Sequence, residues 1–126
     1  MMLELDFSLD VPIYMQIRNQ VVMGIADGRL TAGEKLPTIR ALANETGINM
    51  MTAGKAYALL KQEGYIQADR RSGAVVCEGK KGAGLASEAL RRNLKLLIAE
   101  AALSGLARQD FLELASQLYA EMGVEK

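Results

Sequence analysis

Three short amphipathic segments, each closed by a glycine, constrain the fold more than any other feature of this sequence. The first has an apolar residue at every fourth position from Ile13 to Ile25, which is the spacing of one stripe on a helix. Two further segments with helical spacing follow, and Gly28, Gly47 and Gly64 end the three in turn. The pattern predicts three consecutive helices.

The predicted helices begin at residues that favour helix N-termini. Asp10 and Pro12 predict the start of the first helix, as a capping acid and a first-turn proline. Thr38 and Asn49 are the expected N-caps of the second and third helices. We interpret residues 32–37, between the first two helices, as a turn.

Residues that favour β-strands form two runs after the third helix, Tyr65–Ala68 and Ala74–Cys77. The residues between them include Arg70 and Arg71, so we expect a hairpin with a basic tip. At the start of the chain, alternating apolar and acidic residues over 3–7 predict a short strand or an extended arm.

The order helix, helix, turn, helix, hairpin is that of a winged helix-turn-helix. We predict a mainly α fold with a small β-hairpin wing (α+β) over residues 1–79, followed by a linker and a two-helix tail over 80–126. A helix with a small polar N-terminus fits the major groove, and arginines on a hairpin can reach a phosphate row or the minor groove. The pattern therefore favours double-stranded DNA as a partner.

Each tail helix carries an apolar stripe that two helices cannot bury alone. The stripes consist of Leu90, Leu94, Leu97 and Ile98, and of Phe111, Leu114, Leu118 and Met122. Self-association is the simplest way to cover them, so we predict a homodimer with this interface. The tail is too small to enclose a typical ligand pocket of ~300–1,000 Å³. A small-molecule effector would have to lie at an interface, and its existence stays open.

The chain contains no histidine and a single cysteine, Cys77. Histidine is the commonest general base near neutral pH and the commonest metal ligand. Its absence excludes histidine-dependent triads and dyads and HExxH metal sites, and one cysteine leaves few ligands for structural zinc. We therefore expect that the protein is not an enzyme and that it has no catalytic residue, no metal site and no cofactor.

The net charge is zero, but the charge is unevenly distributed. Residues 1–34 carry two basic and five acidic side chains, whereas residues 35–73 carry six basic and three acidic ones. Because salt limits the reach of a charge to ~8–10 Å, a local basic face matters more to a phosphate backbone than the total. An excess of this size also occurs on ordinary protein surfaces, so charge alone does not decide the partner.

No apolar run approaches the ~18–20 residues that cross a bilayer. The acidic start of the chain lacks the basic and apolar regions of a signal peptide. A single cysteine cannot form an internal disulfide, which fits a reducing compartment. We expect a cytoplasmic protein without membrane contact.

Several stretches of the predicted winged helix closely resemble the GntR superfamily of bacterial transcription regulators. These stretches are Pro12–Ile17, Leu36–Ala43, Thr46–Asn49, Thr52, Lys55–Tyr57 and Glu63–Ile66. The resemblance covers about residues 9–78. The two-helix tail resembles the small YtrA-like branch, which implies a dimerisation region rather than a large effector-binding domain.

The resemblance also implies which side chains contact DNA, because the family uses the start of the second helix, the start of the recognition helix and the wing. The matching positions are Arg40, Asn49, Thr52, Arg70 and Arg71. Thr38, Met50, Met51 and Lys55 complete the candidate set. Thr38 and Asn49 have a simpler alternative role as helix caps, and Arg40 has one in a surface ion pair.

The sequence departs from the family at Met50, Met51 and Gly54, where relatives usually carry proline or polar and basic side chains. Gly54 costs the helix about 1 kcal/mol relative to alanine. Methionine cannot donate a hydrogen bond, so we expect Met50 and Met51 to pack on thymine methyl groups instead. The operator sequence therefore stays open, whereas DNA binding is expected.

The sequence thus favours a DNA-binding regulator, with repression expected at a palindromic operator. The alternative is a winged helix that serves as a protein-interaction module, which the zero net charge and the two methionines Met50 and Met51 would permit. Polar groups at three separate places that face DNA argue against this alternative. The regulated genes, and the choice between repression and activation, stay open.

Overall fold

A computed structural model of the chain describes residues 3–69, 73–77 and 87–124. The elements in chain order are α1 (Ile13–Ala26), β1 (Lys35–Leu36), α2 (Ile39–Thr46), α3 (Met50–Glu63), β2 (Ile66–Asp69), β3 (Gly73–Val76), α4 (Glu88–Leu103) and α5 (Arg108–Met122). The chain divides into two compact units, Met1–Lys80 and Lys81–Lys126. The mainly α fold with a small antiparallel sheet confirms the predicted fold class.

The core of the first unit lies where α1, α2 and α3 pack against the sheet. Its buried apolar members are Ile17, Val21, Leu36, Leu42, Ala43, Ala53, Ala56, Tyr57, Leu60, Ile66, Ala74 and Val76. The buried face of α3 consists of Ala53, Ala56, Tyr57 and Leu60, whose i, i+3, i+4, i+7 spacing in the sequence predicts one face of a helix.

The ends of α2 and α3 follow the predicted residue types. Thr38 Oγ1 accepts a hydrogen bond of 3.1 Å from the backbone N–H three residues on, and Asn49 Oδ1 accepts one of 2.6 Å from the N–H two residues on. Gly47 and Gly64 follow the two helices with φ of 72° and 86°, a left-handed conformation that glycine adopts without steric cost.

The start of α1 differs from the prediction. Pro12 occupies the N-cap position and no side chain caps the helix, so the prediction that Asp10 caps it is wrong. The buried amide of Gln16 instead exchanges two hydrogen bonds with the backbone of Asp6, at 2.9 and 2.8 Å. This exchange holds the N-terminal arm, which has no regular secondary structure over residues 3–6, against α1.

The wing is a three-stranded antiparallel sheet in the order β1-β3-β2. The predicted hairpin is present, with Ile66 of β2 opposite Val76 of β3. On the other edge β1 adds a strand, with Leu36 opposite Ala74. The interpretation of residues 32–37 as a turn is therefore wrong at its end, because a two-residue strand is defined by its distant partner rather than by a local pattern.

The second unit consists of α4 and α5, the two tail helices that the sequence predicts. Ser87 caps α4 by accepting a hydrogen bond of 3.1 Å from Leu90 N. The turn between the helices contains Gly105 with φ of 87°. Neither of these two described helices contains a fully buried side chain.

Candidate nucleic-acid interface

The start of α2 packs across α3. The hydroxyl of Tyr57, on α3, donates a hydrogen bond of 2.7 Å to the carbonyl oxygen of Pro37. One turn nearer the start of α3, Ile39 Cδ1 lies 3.8 Å from the position that a Cβ would take on Gly54. The first turn of α2 is therefore held beside the N-terminal half of α3.

The wing meets the same end of α2. Gly73 opens β3 with φ of +87°, and a Cβ on it would lie 3.4 Å from Thr38 Cα. Both the left-handed φ and the close approach favour glycine. The first residue of β3 thus lies next to the N-cap of α2. Arg70 and Arg71, which the sequence predicts for the wing tip, lie outside the described residues.

Most of the candidate DNA-binding side chains in the described residues are exposed. Met51 is 82% exposed, Arg40 and Lys55 also project into solvent, and Thr52 is half-buried. No carboxylate of the described residues lies within salt-bridge distance of Arg40. The alternative role of Arg40 in an ion pair therefore finds no partner in this part of the chain.

Thr38 and Asn49 act as helix caps, which confirms their simpler predicted role. In both caps the side-chain oxygen is the acceptor. The hydroxyl proton of Thr38 and the amide NH₂ of Asn49 are donors that the caps do not use. Capping is therefore compatible with a hydrogen bond from either side chain to a phosphate or a base.

Two charged side chains of α3, Lys55 and Glu63, make contacts with residues of α1. Lys55 Nζ lies 4.1 Å from the centroid of the Tyr14 ring, a cation–π contact. Arg18 of α1 makes two hydrogen bonds of 2.9 Å with the carboxylate of Glu63, which raise the pKa of Arg18. This pairing offsets the negative charge of Glu63. Sequence reasoning missed both contacts because their partners are far apart in the chain.

The tail leaves its predicted stripes largely uncovered. Leu90, Leu94, Leu97 and Ile98 on α4 and Leu114 and Leu118 on α5 are each between 45% and 55% exposed. Phe111 and Met122 are half-buried. Among the described tail residues, four further large apolar side chains that the predicted stripes do not include are exposed, namely Leu96, Leu103, Leu112 and Tyr119.

Other kinds of site have little support in the described ranges. These residues contain no group of three acidic or cysteine side chains placed to hold a metal ion. No helix among them has both the length and the apolar character required to span a membrane.

Comparison with known proteins decides the family. The family model for bacterial regulatory proteins of the gntR family matches residues 13–76. The HTH-type transcriptional repressor YtrA of Bacillus subtilis is 30% identical over 123 residues, which are 96% of this chain and 95% of that protein. The chain belongs to the GntR family.

Solved structures share the fold over both units. A transcriptional antiterminator from Listeria monocytogenes EGD-e has a TM-score of 0.86 at 25% identity, covering 100% of this chain and 95% of that one. YtrA from Sulfolobus acidocaldarius, a GntR-family transcription factor, has a TM-score of 0.59 at 34% identity, covering 94% and 97%. These likenesses confirm the predicted resemblance to the YtrA-like branch.

Some relatives are much longer than this chain. The HTH-type regulator YdeL of Bacillus subtilis is 41% identical over 69 residues, which are 55% of this chain but only 15% of that protein.

The family match and the near full-length relative together make this chain a GntR-family transcriptional regulator with a winged helix-turn-helix DNA-binding domain.

Proposed function

We propose that the protein is a homodimeric transcriptional repressor that binds a palindromic operator in double-stranded DNA. The exposed face of the N-terminal half of α3 carries this proposal, with the first turn of α2 packed beside this half and the cation of Lys55 on the exposed face. A helix presented in this way fits the major groove, while flanking cations contact phosphates. Repression is the activity in the name of Bacillus subtilis YtrA.

The proposed DNA-binding residues divide into three groups. Thr38 and Arg40 act from the start of α2, and Arg70 and Arg71 act from the wing. The residues of α3 and its cap are Asn49, Met50, Met51, Thr52 and Lys55. Phosphate contacts from the first two groups would fix the register, and α3 would read base edges.

The exposed tail stripes support the homodimer. Helices of this length gain most of their stability from covering an apolar stripe, and a two-fold axis lets the same patch on two copies cover each other. Such a dimer would carry two α3 helices for two half-sites of a palindrome. We therefore propose residues 1–79 as the DNA-binding region and residues 80–126 as the linker and dimerisation region, with no fixed place for an effector.

One observation favours a second candidate, a winged helix that binds another protein. Met50 and Met51 form an exposed apolar surface at the start of α3, and flexible methionines are common on surfaces that bind proteins. The donors that the Thr38 and Asn49 caps do not use, together with the cation of Lys55, favour DNA instead.

The deciding experiment selects genomic DNA fragments with the purified full-length protein. We expect the bound fragments to share an inverted repeat, and transcription in vitro from a promoter with that repeat to fall when the protein is added. Fragments with no shared sequence would favour the interaction module. A rise in transcription would make the protein an activator.

A further inference from the structure

Helices α1 and α3 each contain a glycine in the interior, and packing explains only one of them. A Cβ on Gly24 would lie 3.0 Å from Leu30 Cδ1 and 3.2 Å from Leu30 Cγ, so a side chain at this position requires Leu30 to shift. At Gly54 the φ angle is negative, and the nearest atom, Ile39 Cδ1, would lie at an ordinary contact distance of 3.8 Å. Glycine destabilises a helix interior relative to alanine. Nothing in the described residues requires it at position 54.

Gly54, which is itself half-buried, belongs to an apolar strip along one face of α3. The strip consists of Met51, Gly54 and Ala58, which lie at i, i+3 and i+7 and so share one face. Met51 and Ala58 are both exposed. No side chain of the strip can donate a hydrogen bond, and Lys55 adds a cation on the same side of the helix.

We propose that Met51 is a specificity-determining residue that reads thymine methyl groups in the major groove, and that Gly54 allows α3 to approach the base edges closely. This inference rests on the proposed function. The thymine 5-methyl group is the apolar feature that a base pair displays in the major groove. A flexible, polarizable thioether suits contact with it, and glycine permits close approach of a backbone to a ligand.

The test uses the full-length protein and DNA duplexes that it selects from a random-sequence pool. Each thymine of a selected duplex is replaced in turn by deoxyuridine, which removes the methyl group and keeps every base-pairing hydrogen bond. We expect the wild-type affinity to fall about three- to tenfold at one or two positions of each half-site.

Variants assign the effect to one side chain. Met51→Ala should bind thymine and deoxyuridine duplexes equally well, whereas Met51→Leu should keep the preference for thymine. Met23→Ala removes another exposed methionine, on α1, and should behave like the wild type.

Gly54→Ala gives a second readout. The variant should raise Tm by a few degrees because alanine favours the helix. It should also weaken binding to every selected duplex, because the added methyl group moves α3 away from the bases. A stabilised variant with unchanged affinity would overturn the proposed role of Gly54.

Failure of this inference is distinguishable from failure of the proposed function. If the pool yields no enriched sequence, sequence-specific regulation is wrong, and the assignment of Met51 falls with it. If a sequence is enriched but no deoxyuridine substitution changes the wild-type affinity, only the reading of methyl groups is overturned. A preference that persists in Met51→Ala would assign that reading to another residue.

Discussion

The hydroxyl of Tyr57 in α3 donates a hydrogen bond of 2.7 Å to the carbonyl oxygen of Pro37, which directly precedes the N-cap of α2. Tyr57 is almost fully buried, so water does not compete for this bond. The same short segment faces the wing, where Gly73 lies beside Thr38. One buried side chain of α3 therefore fixes the place from which α2 presents Arg40.

Tyr57→Phe should lower the free energy of unfolding by about 1–3 kcal/mol near neutral pH, because Pro37 O loses its donor. Burial, with a smaller effect of the Glu45 carboxylate, raises the pKa of Tyr57 above the ordinary value of 10.0. The stability from the protonated phenol is thus fully present below pH 10 and is lost as the pH rises through the raised pKa. Urea denaturation near neutral and at alkaline pH measures both effects.

Tyr119→Phe is the matched control, since Tyr119 is exposed on α5. It should change stability by less than about 0.5 kcal/mol. Equal unfolding curves for Tyr57→Phe and the wild type would show that the bond to Pro37 contributes nothing.

Arg40→Ala should weaken operator binding by about 1–3 kcal/mol without unfolding the protein, because in the proposed interface its planar guanidinium holds a phosphate or a guanine. Arg29→Ala is the control, since Arg29 is an exposed arginine that already pairs with Asp27 at 2.8 Å. Fluorescence anisotropy titrations measure both. An unchanged affinity for Arg40→Ala removes this residue from the interface.

The wing arginines should act mainly through charge. Replacing Arg70 and Arg71 together by alanine should lower the affinity for all DNA sequences and flatten the slope of log affinity against log salt concentration by about 1–2 units. Titrations over a range of salt concentrations give the slope. A double variant with the wild-type slope would place the wing off the DNA.

The cation–π contact predicts that Tyr14 positions Lys55 for DNA. Tyr14→Leu should lower the affinity by about 0.5–1 kcal/mol, whereas Tyr14→Phe should not, because phenylalanine keeps the ring face. In a Lys55→Met background, Tyr14→Leu should have no further effect. A double-mutant cycle measures this coupling, and an equal effect of Tyr14→Leu in both backgrounds would rule the positioning role out.

The parts of this fold that sequence predicts are those that depend on neighbouring residues. The caps at Thr38 and Asn49 and the buried face of α3 follow from local spacing and local hydrogen bonds. Strand β1 was not predicted from the sequence, because Lys35 and Leu36 form a strand only by pairing with the distant β3. The prediction that Asp10 caps α1 also failed. The segment before this helix is held by hydrogen bonds from the distant side chain of Gln16, which no local pattern indicates.

In the candidate site, too, the sequence predicts local features, whereas contacts between distant residues become visible only in the structure. Family resemblance implied a DNA contact for Arg40, and Lys55 was added to the candidate set from the sequence, but only the packing shows that Lys55 contacts the ring of Tyr14. Gly54 stood out in the sequence as a departure from the family. The space around it in the structure was needed to show that internal packing does not explain it.

The tail offers the sharpest test of the homodimer. Leu97 is about half-exposed in the single chain, so Leu97→Glu should change the stability of the chain itself very little. In a dimer the same carboxylate would be buried without a partner, which disfavours the interface strongly. We therefore expect wild-type protein to be dimeric at micromolar concentration and Leu97→Glu to be monomeric, as measured by sedimentation.

Loss of the dimer should also reduce operator affinity, because linking two half-site contacts contributes a factor of about 10²–10⁴ without any new contact. Ala99→Glu is the matched control, since Ala99 is exposed and lies on the opposite side of α4 from Leu97. It adds the same charge and should leave both the dimer and the affinity intact. If Leu97→Glu dimerises as well as Ala99→Glu does, the stripe of α4 is not the dimer interface. Another surface must then bring the two α3 helices together on the two half-sites.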